Sequence, residues 1–498
     1  MAEKNTADIG FEKQIWDAAC VLRGNMDASE YKNVILGLIF LKYISDSFEE
    51  KYQELVDEGE GFEEDRDEYD AENIFFVPDG ARWKDIAAKA HDPEIGKAID
   101  DAMIAIEEEN KKLKGILPKN FARPELSKTK LGDVVDLFTN VKMADGANEK
   151  DLLGRTYEYC LRNFAEQEGK NAGQFYTPSC VVRTIVEILQ PYNGRVYDPC
   201  CGAGGMFVQS ASFIKNHQGN INNISVYGQE SNPTTWKMAK MNLAIRGIDC
   251  NLGEVPDDTF LNDQHYIMRA DYIMANPPFN LTPWGADKLK EDQRWRFGMP
   301  PAGNANFAWM QHMIWHLAPN GKIGMVLANG SLSSTTGGED EIRKNIIKAD
   351  LVDCIVSLPI QLFYTTPIPV CLWFLNKKKA IPGKTLFIDA STMGEMVTNR
   401  HRELTDDNIM QLAKTYQLYT KGKLENEDGY CAVADIENIE NYSFNLTPGL
   451  YIKYAKRTGD SEPFEEKMER LSTDLYKLIE ESDLLNQELI GMMKALGY

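Results

Sequence analysis

At 498 residues the chain has room for roughly two to four domains, and 43% apolar residues supply a sizeable core for them. Its 54 basic and 76 acidic residues leave a formal charge of −22, which excludes a uniformly basic nucleic-acid binder; any grip on a polyanion has to come from a local patch or another subunit. No apolar run approaches the ~18–20 residues of a membrane span, the first residues lack the charged-then-apolar order of a signal peptide, and nine cysteines without a Cys-x-x-Cys pair point to free thiols in a reducing, cytoplasmic compartment.

Residues 1–150 read as mainly helical. Phe11, Ile15, Trp16, Ala19 and Leu22 recur at helical spacing, and a more apolar helix opens at Tyr31 behind a cap at Asp27 or Ser29. The acidic run from Asp57 to Asp70, broken by Gly59 and Gly61, reads as a solvated loop or frayed helix; its carboxylates lack the alternation and closing Glu of a calcium loop. Residues 85–113 are helical apart from a break near Pro93.

Near Gly154 the texture changes. A loop over 173–179 leads into a helix over 181–189, a strand over 195–197, a glycine-rich turn and a helix over 206–214, the first βα unit of a Rossmann-like sheet. A second strand, 224–228, ends in Gln229-Glu230, followed by a helix over 233–246 and a strand over 271–274. A helix over 306–317 precedes strands over 322–328, 351–356 and 370–375. Lys377, Lys378 and Lys379 mark the last of these as an edge of the sheet, and 386–389 is a shorter strand. From Pro463 onward, Phe464, Met468, Leu471, Leu475, Leu478, Leu485 and Leu489 lie close to heptad spacing, giving an amphipathic tail that folds back on the chain or binds a partner. The expected organisation is a helical N-terminal domain over 1–150, an α/β domain over 151–455 and a helical tail over 456–498. The apolar stripes of the first and last of these have no place in the sheet and are the expected docking surfaces.

Three strand ends carry chemistry. After the first, Gly202-Ala203-Gly204-Gly205 is not the full Gly-x-Gly-x-x-Gly of dinucleotide binders, but its glycines admit a ligand close to the backbone. Asp198 just before it suits an ammonium group, and Glu230 at the second strand end suits the two hydroxyls of a ribose. An α-amino acid at one end and a ribose further along describe S-adenosylmethionine. At the third strand end stands Asn276-Pro277-Pro278-Phe279, whose two prolines stop the strand abruptly. The Asn276 side-chain oxygen and the Pro277 carbonyl can each accept a hydrogen of an exocyclic amino group and expose its lone pair. Phe279 can stack on the base, a contact of ~1–3 kcal/mol. Alone, these four residues also read as a Pro-rich turn over a core strand. In order with Asp198, the glycine turn and Glu230 they form a set.

The run Asp198-Pro199-Cys200-Cys201-Gly202-Ala203-Gly204-Gly205-Met206-Phe207, with the Asn-Pro-Pro-Phe motif and Gln174-Phe175-Tyr176-Thr177-Pro178 upstream, resembles the modification (M) subunit of type I restriction–modification systems. These are N6-adenine DNA methyltransferases. Leu22-Arg23-Gly24-Asn25-Met26-Asp27 and Phe40-Leu41-Lys42-Tyr43-Ile44-Ser45-Asp46 resemble the helical N-terminal domain of the same family, so the likeness spans nearly the whole chain. The resemblance implies a Rossmann-like S-adenosylmethionine-dependent methyltransferase fold with S-adenosyl-L-methionine as cofactor. It implies DNA and a specificity (S) subunit as partners, with a restriction (R) subunit and a second copy of the chain in the same complex. It places Gln174, Phe175, Tyr176, Thr177, Pro178 and Ser179 over the methionine end of the cofactor. Gly202, Ala203, Gly204, Gly205 and Glu230 then hold its amino acid and ribose, and Asp258 meets its adenine, although a loop acid needs no ligand to explain it. The target adenine is flipped out of the duplex at a cost of a few kcal/mol and meets Asn276, Pro277, Pro278 and Phe279. Methyl transfer is then a direct in-line displacement that needs no metal. His312 and His316 stand at i, i+4, but the Glu of a zincin His-Glu-x-x-His is absent, and they read as packed or surface histidines. The loop 288–296, with Trp284 and Trp295, either grips the flipped strand or is surface only.

Three functions remain open on the sequence. The first is the M subunit, with sequence choice delegated to a specificity subunit. The second is a self-sufficient adenine methylase, which needs a large target-recognition domain where the region after 400 is small and acidic. The third is a non-catalytic assembly subunit, against which the intact motifs argue. Methylases of glutamine or RNA also use Asn-Pro-Pro, usually with Tyr in fourth place, so Phe279 favours adenine in DNA.

Overall fold

The computed structural model describes residues 28–140, 156–164, 177–217, 219–363, 368–398, 401–454 and 464–495, with helical positions at 13, 15–17, 20 and 22. The expected cap at Asp27 and the residues Gln174, Phe175 and Tyr176 lie outside them.

Helix α1 (Ala28–Glu58) carries the apolar run, and Val34, Ile35, Leu36, Leu38, Ile39, Phe40 and Leu41 are all 0% exposed. A helix apolar on every side has to be surrounded, and α2 (Ile95–Glu109) and α3 (Lys128–Asn140) supply Ile99, Met103, Ile106, Leu131 and Val135 to the same core. The break near Pro93 separates α2 from the short helix Trp83–Ala87. Met238, Met241 and Ile245 also belong to this core, so the helical region packs onto the α/β region. The apolar run of α1 is therefore buried inside the chain's own fold.

Among the described residues nine strands form one sheet: β1 (Gly194–Asp198), β2 (Ile224–Gly228), β3 (Cys250–Asn251), β4 (Ala270–Ala275), β5 (Leu317–Ala328), β6 (Val352–Ser357), β7 (Val370–Asn376), β8 (Lys384–Asp389) and β11 (Cys431–Asp435). Between the last two in sequence, β9 (Glu395–Thr398) and β10 (His401–Glu403) make a separate antiparallel ribbon. The sheet order is β11-β8-β6-β7-β5-β4-β1-β2-β3, with β5, β4, β1, β2 and β3 parallel to their neighbours in that half. Alternate residues serve opposite faces: Val196 and Phe374 lie in one core, Tyr197 and Trp373 in the other. Helices α4 (Ser179–Leu189), α5 (Gly205–Asn216) and α6 (Pro233–Ala244) contribute Val186, Phe207 and Ala239 to the first core; α7 (Asn306–His316) contributes Met310 to the second.

The lysines after β7 do not mark an edge. β7 pairs antiparallel with both β5 and β6, and all seven of its residues are buried. Lys379 turns inward, its Nζ donating to Asp350 Oδ1 at 2.7 Å and to the Val352 carbonyl at 2.9 Å. The sheet's edges are β3 and β11. Residues 453–498 form a compact unit of their own, containing helix α8 (Phe464–Ala495). No helix among the described residues is long and apolar enough to cross a membrane.

Candidate active site

Parallel strands bring their carboxyl ends to one rim, where ligands bind in open α/β sheets. β1 ends at Asp198, which is 2% exposed, and its Oδ1 accepts the Cys200 N–H at 3.0 Å. The following turn is left-handed at Gly202 (φ 53°) and Gly204 (φ 83°), and α5 starts at Gly205. From the next strand end, Glu230 reaches across: its Oε2 accepts the Gly202 N–H at 3.1 Å and its Oε1 the Asn232 N–H at 2.8 Å. Asn242 of α6 holds the turn from behind, donating to the Ala203 carbonyl at 2.7 Å. Burial pushes the Asp198 carboxyl up to about 7, helped by the charge of Glu230 and opposed by the Cys200 N–H. Burial likewise raises the Glu230 carboxyl, against the N–H groups of Asn232 and Gly202. Two adjacent buried carboxylates make a site that favours positive charge.

The glycines divide by role. A Cβ at Gly204 would face Leu243 Cγ at 3.4 Å, so glycine there answers to its backbone conformation. At Gly205 no atom lies within 4 Å of a Cβ, and this residue lines the cleft. Thr177, Asp198, Gly202, Ala203 and Asn276 line it too. Glu230 acts on the cleft through Gly202. Pro178 and Ser179 form the start of α4. Asp258 caps a turn, its Oδ1 accepting the N–H groups of Phe260 (2.8 Å) and Leu261 (3.0 Å), and this loop is tied to the segment just after β2 by Asp257 N–H donating to the Glu230 carbonyl at 3.1 Å.

β4 delivers Asn276 to the same cleft. Its Nδ2 donates to Thr177 Oγ1 at 3.0 Å, while its Oδ1 is buried without a hydrogen-bond partner among the described residues. Pro277 is buried, and Phe279 is half-buried with its ring edge-on to Phe363 at 5.8 Å. Behind the motif, Asn280 (φ 53°) exchanges two hydrogen bonds with Asn306 at the start of α7.

Several lining residues carry no motif. Glu158 and Leu161 come from helical residues 156–164 and Asn242 from α6; only their position in the fold reveals them. The loop after the motif is only partly exposed. Trp284 is 2% exposed and Arg294 5%, the latter donating to the carbonyls of Thr259 (3.3 Å) and Phe260 (2.6 Å), to Asp292 and to His312 Nδ1 at 3.0 Å. Lys288, Lys290 and Arg296 remain exposed. His312 and His316 are packed. With Asp263 their ligand atoms lie within 4.8 Å of one another, yet Tyr197 and Arg294 engage both nitrogens of His312, and Met268 and Asp263 those of His316. Burial, with His316 and the Arg294 guanidinium beside it, holds His312 well below the usual histidine range.

The chain matches the N-6 DNA Methylase family over residues 148–460 and the HsdM N-terminal domain over residues 11–138. It belongs to the N-6 DNA methylase family. This methylase is 48% identical to the methylase subunit of the type I restriction enzyme HindI of Haemophilus influenzae, over 81% of its length and 93% of the relative's. It is 38% identical to the MjaIX methylase subunit of Methanocaldococcus jannaschii, over 98% and 92%. A crystal structure of the type I methyltransferase subunit from Streptococcus thermophilus superposes with a TM-score of 0.77 at 24% identity, covering 90% of this chain and 100% of that one. The methylase is thus the methylation subunit of a type I restriction–modification enzyme, an adenine-specific DNA methyltransferase that uses S-adenosylmethionine. The cleft suits that cofactor: the buried Asp198–Glu230 pair calls for a cation, and Gly205 leaves the space a side chain would fill.

Proposed function

We propose that the cleft of Asp198, Gly202 and Gly205 holds S-adenosylmethionine and that Asn276, Pro277, Pro278 and Phe279 receive a flipped adenine beside it. The observation that carries this reading is the buried Asn276 Oδ1, which has no hydrogen-bond partner among the described residues, in the same cleft as Asp198. An orphaned buried acceptor is costly unless a ligand donor completes it. S-adenosylmethionine, when bound, supplies an electrophilic methyl carbon on a sulfonium. Asp198 takes its positive end, and the Gly202 and Gly205 backbone permits close approach. Glu230 keeps the turn in place and offers its carboxylate toward the ribose side, and Asp258 holds the loop that closes the adenine side. Thr177 holds the Asn276 amide, and we assign contacts with the cofactor to Gln174, Phe175, Tyr176, Pro178 and Ser179. Asn276 Oδ1 and the Pro277 carbonyl accept the two hydrogens of the adenine amino group, so that its lone pair is free to attack, and Phe279 stacks on the base.

The curated relatives are named as subunits of restriction enzymes, which supports work inside a multi-subunit complex on DNA. We assign sequence choice to a specificity subunit, with a restriction subunit and a second copy of the chain in the full assembly. Division into a helical domain (1–150), a catalytic domain (151–455) and a tail (456–498) fits that role. The self-sufficient alternative lacks support: the described residues from 401 to 454 complete the sheet with β11 and add no separate recognition domain. Substituting Asn276→Ala or Phe279→Ala should abolish methylation while calorimetry with S-adenosylmethionine shows near-normal affinity. Loss of cofactor binding by both folded variants would remove the motif from the base site.

A further inference from the structure

The catalytic motif ends in a loop, and a loop holds a base in register only if something holds the loop. Asn280, directly after Phe279, has φ 53°, a left-handed conformation that fixes how the chain leaves the motif. Its backbone N–H donates to Asn306 Oδ1 at 3.1 Å. Because a backbone N–H can only donate, that contact settles which end of the Asn306 amide faces it. The Asn306 Nδ2 then donates to Asn280 Oδ1 at 3.0 Å. Asn304 adds a third bond, its Nδ2 donating to Asn280 Oδ1 at 3.1 Å, and its orientation is fixed in turn because its Oδ1 accepts the Asn306 N–H at 2.9 Å. A backbone bond from Ala305 N–H to the Leu281 carbonyl at 3.2 Å closes the set. Asn306 is 2% exposed and begins α7, which is anchored under the sheet by Phe307, Ala308 and Met310, all 0% exposed. The motif is thus tied on one side to β4 and on the other to a rigid helix, through amides with no rotational ambiguity.

We propose that Asn306 is a positioning residue for methyl transfer: it transmits the placement of α7 to the Pro277 carbonyl and Phe279 through Asn280. It touches neither base nor cofactor. This rests on the reading that Asn276 to Phe279 receive the adenine. Displacing such a loop by about 1 Å is expected to slow chemistry by up to ~100-fold without a comparable loss of binding. The test uses the full chain copurified with its co-expressed partner subunits, comparing Asn306→Ala and the similar-sized Asn306→Leu with wild type. Single-turnover methylation at saturating DNA and S-adenosylmethionine should fall about 10–100-fold, while cofactor affinity by calorimetry stays within about twofold, a split that general loosening of the fold does not produce. The double variant Asn280→Ala/Asn306→Ala should be no slower than the slower single variant, because the two act as one unit. Wild-type rates in the folded Asn306 variants, or losses that multiply in the double, overturn the proposal. Should neither Asn306 variant fold, Asn280→Ala at this exposed residue decides, an unchanged rate overturning it. Asn276→Ala run in parallel separates the two ideas: if it methylates normally, the base site itself is misassigned.

Discussion

Gly204 and Gly205 are neighbours in sequence with different physical reasons to be glycine. At Gly204 the left-handed φ of 83° is the constraint, and a substituted Cβ meets Leu243, not the cleft. Gly204→Ala should lower stability by ~1–2 kcal/mol in denaturant titration. Gly205→Val should leave stability close to wild type and weaken S-adenosylmethionine binding at least tenfold, because its side chain enters open space in the cleft. Asp198 predicts a pH dependence. Its carboxyl, pushed up to about 7 by burial and Glu230, sits above its ordinary 3.8. The native chain therefore holds a proton there that the unfolded chain releases. The stability this contributes is full below about pH 4 and is lost as pH rises through about 7. A bound cation reverses the preference, since it favours the ionised form. Affinity for S-adenosylmethionine should rise up to about tenfold from pH 6 to pH 8, and Asp198→Asn should flatten that slope in a calorimetric pH series.

Among the elements, the loop between β4 and α7 shows how composition misleads without burial. Its tryptophans and arginine suggest a nucleic-acid contact, yet Trp284 fills the core and Arg294 joins the carbonyls of the 259–260 turn to Asp292 and His312. Trp284→Ala should cost ~3–5 kcal/mol. Arg294→Met should cost a similar ~3–5 kcal/mol by leaving buried partners unpaired. Lys290→Ala, on the exposed side, should stay within ~0.5 kcal/mol and change only the salt dependence of DNA binding. Urea unfolding separates the two classes. The same lesson applies to β7, whose following lysines resemble an edge signal while Lys379 points inward to Asp350.

For the molecule as a whole, a charge of −22 sets the terms for acting on DNA. Binding depends on cations displacing counterions from phosphates, so the chain alone should bind S-adenosylmethionine well and DNA weakly, and acquire tight, salt-sensitive, sequence-selective binding with a specificity subunit. Efficient site-specific methylation by the purified chain alone would contradict this. The tail forms a separate unit in which Met468, Leu471, Leu475, Leu478, Leu485 and Leu489 are 45–64% exposed. Removing residues 463–498 should leave cofactor affinity and the main thermal transition unchanged while complex assembly, read by size-exclusion chromatography, is lost.

Asp198, the glycine turn, Glu230 and Asn276-Pro277-Pro278-Phe279 were legible in the chain because each stands where a strand ends, and strand-ending residues are local features: prolines that cannot donate, glycines that accept positive φ, acids beside them. The alternation of strands with helices read as a Rossmann-like sheet, while the order of its strands came only from their pairing. Three things were not local. Whether an apolar or basic residue faces solvent depends on what covers it, which separated buried α1, Trp284 and Arg294 from the exposed tail. The antiparallel insertion of β7 between β5 and β6 depends on pairing partners distant in sequence. Glu158, Asn242 and Asn306 reach the cleft or its motif across long sequence separations, with no signature of their own, because a hydrogen bond records only where the folded backbone has brought donor and acceptor together.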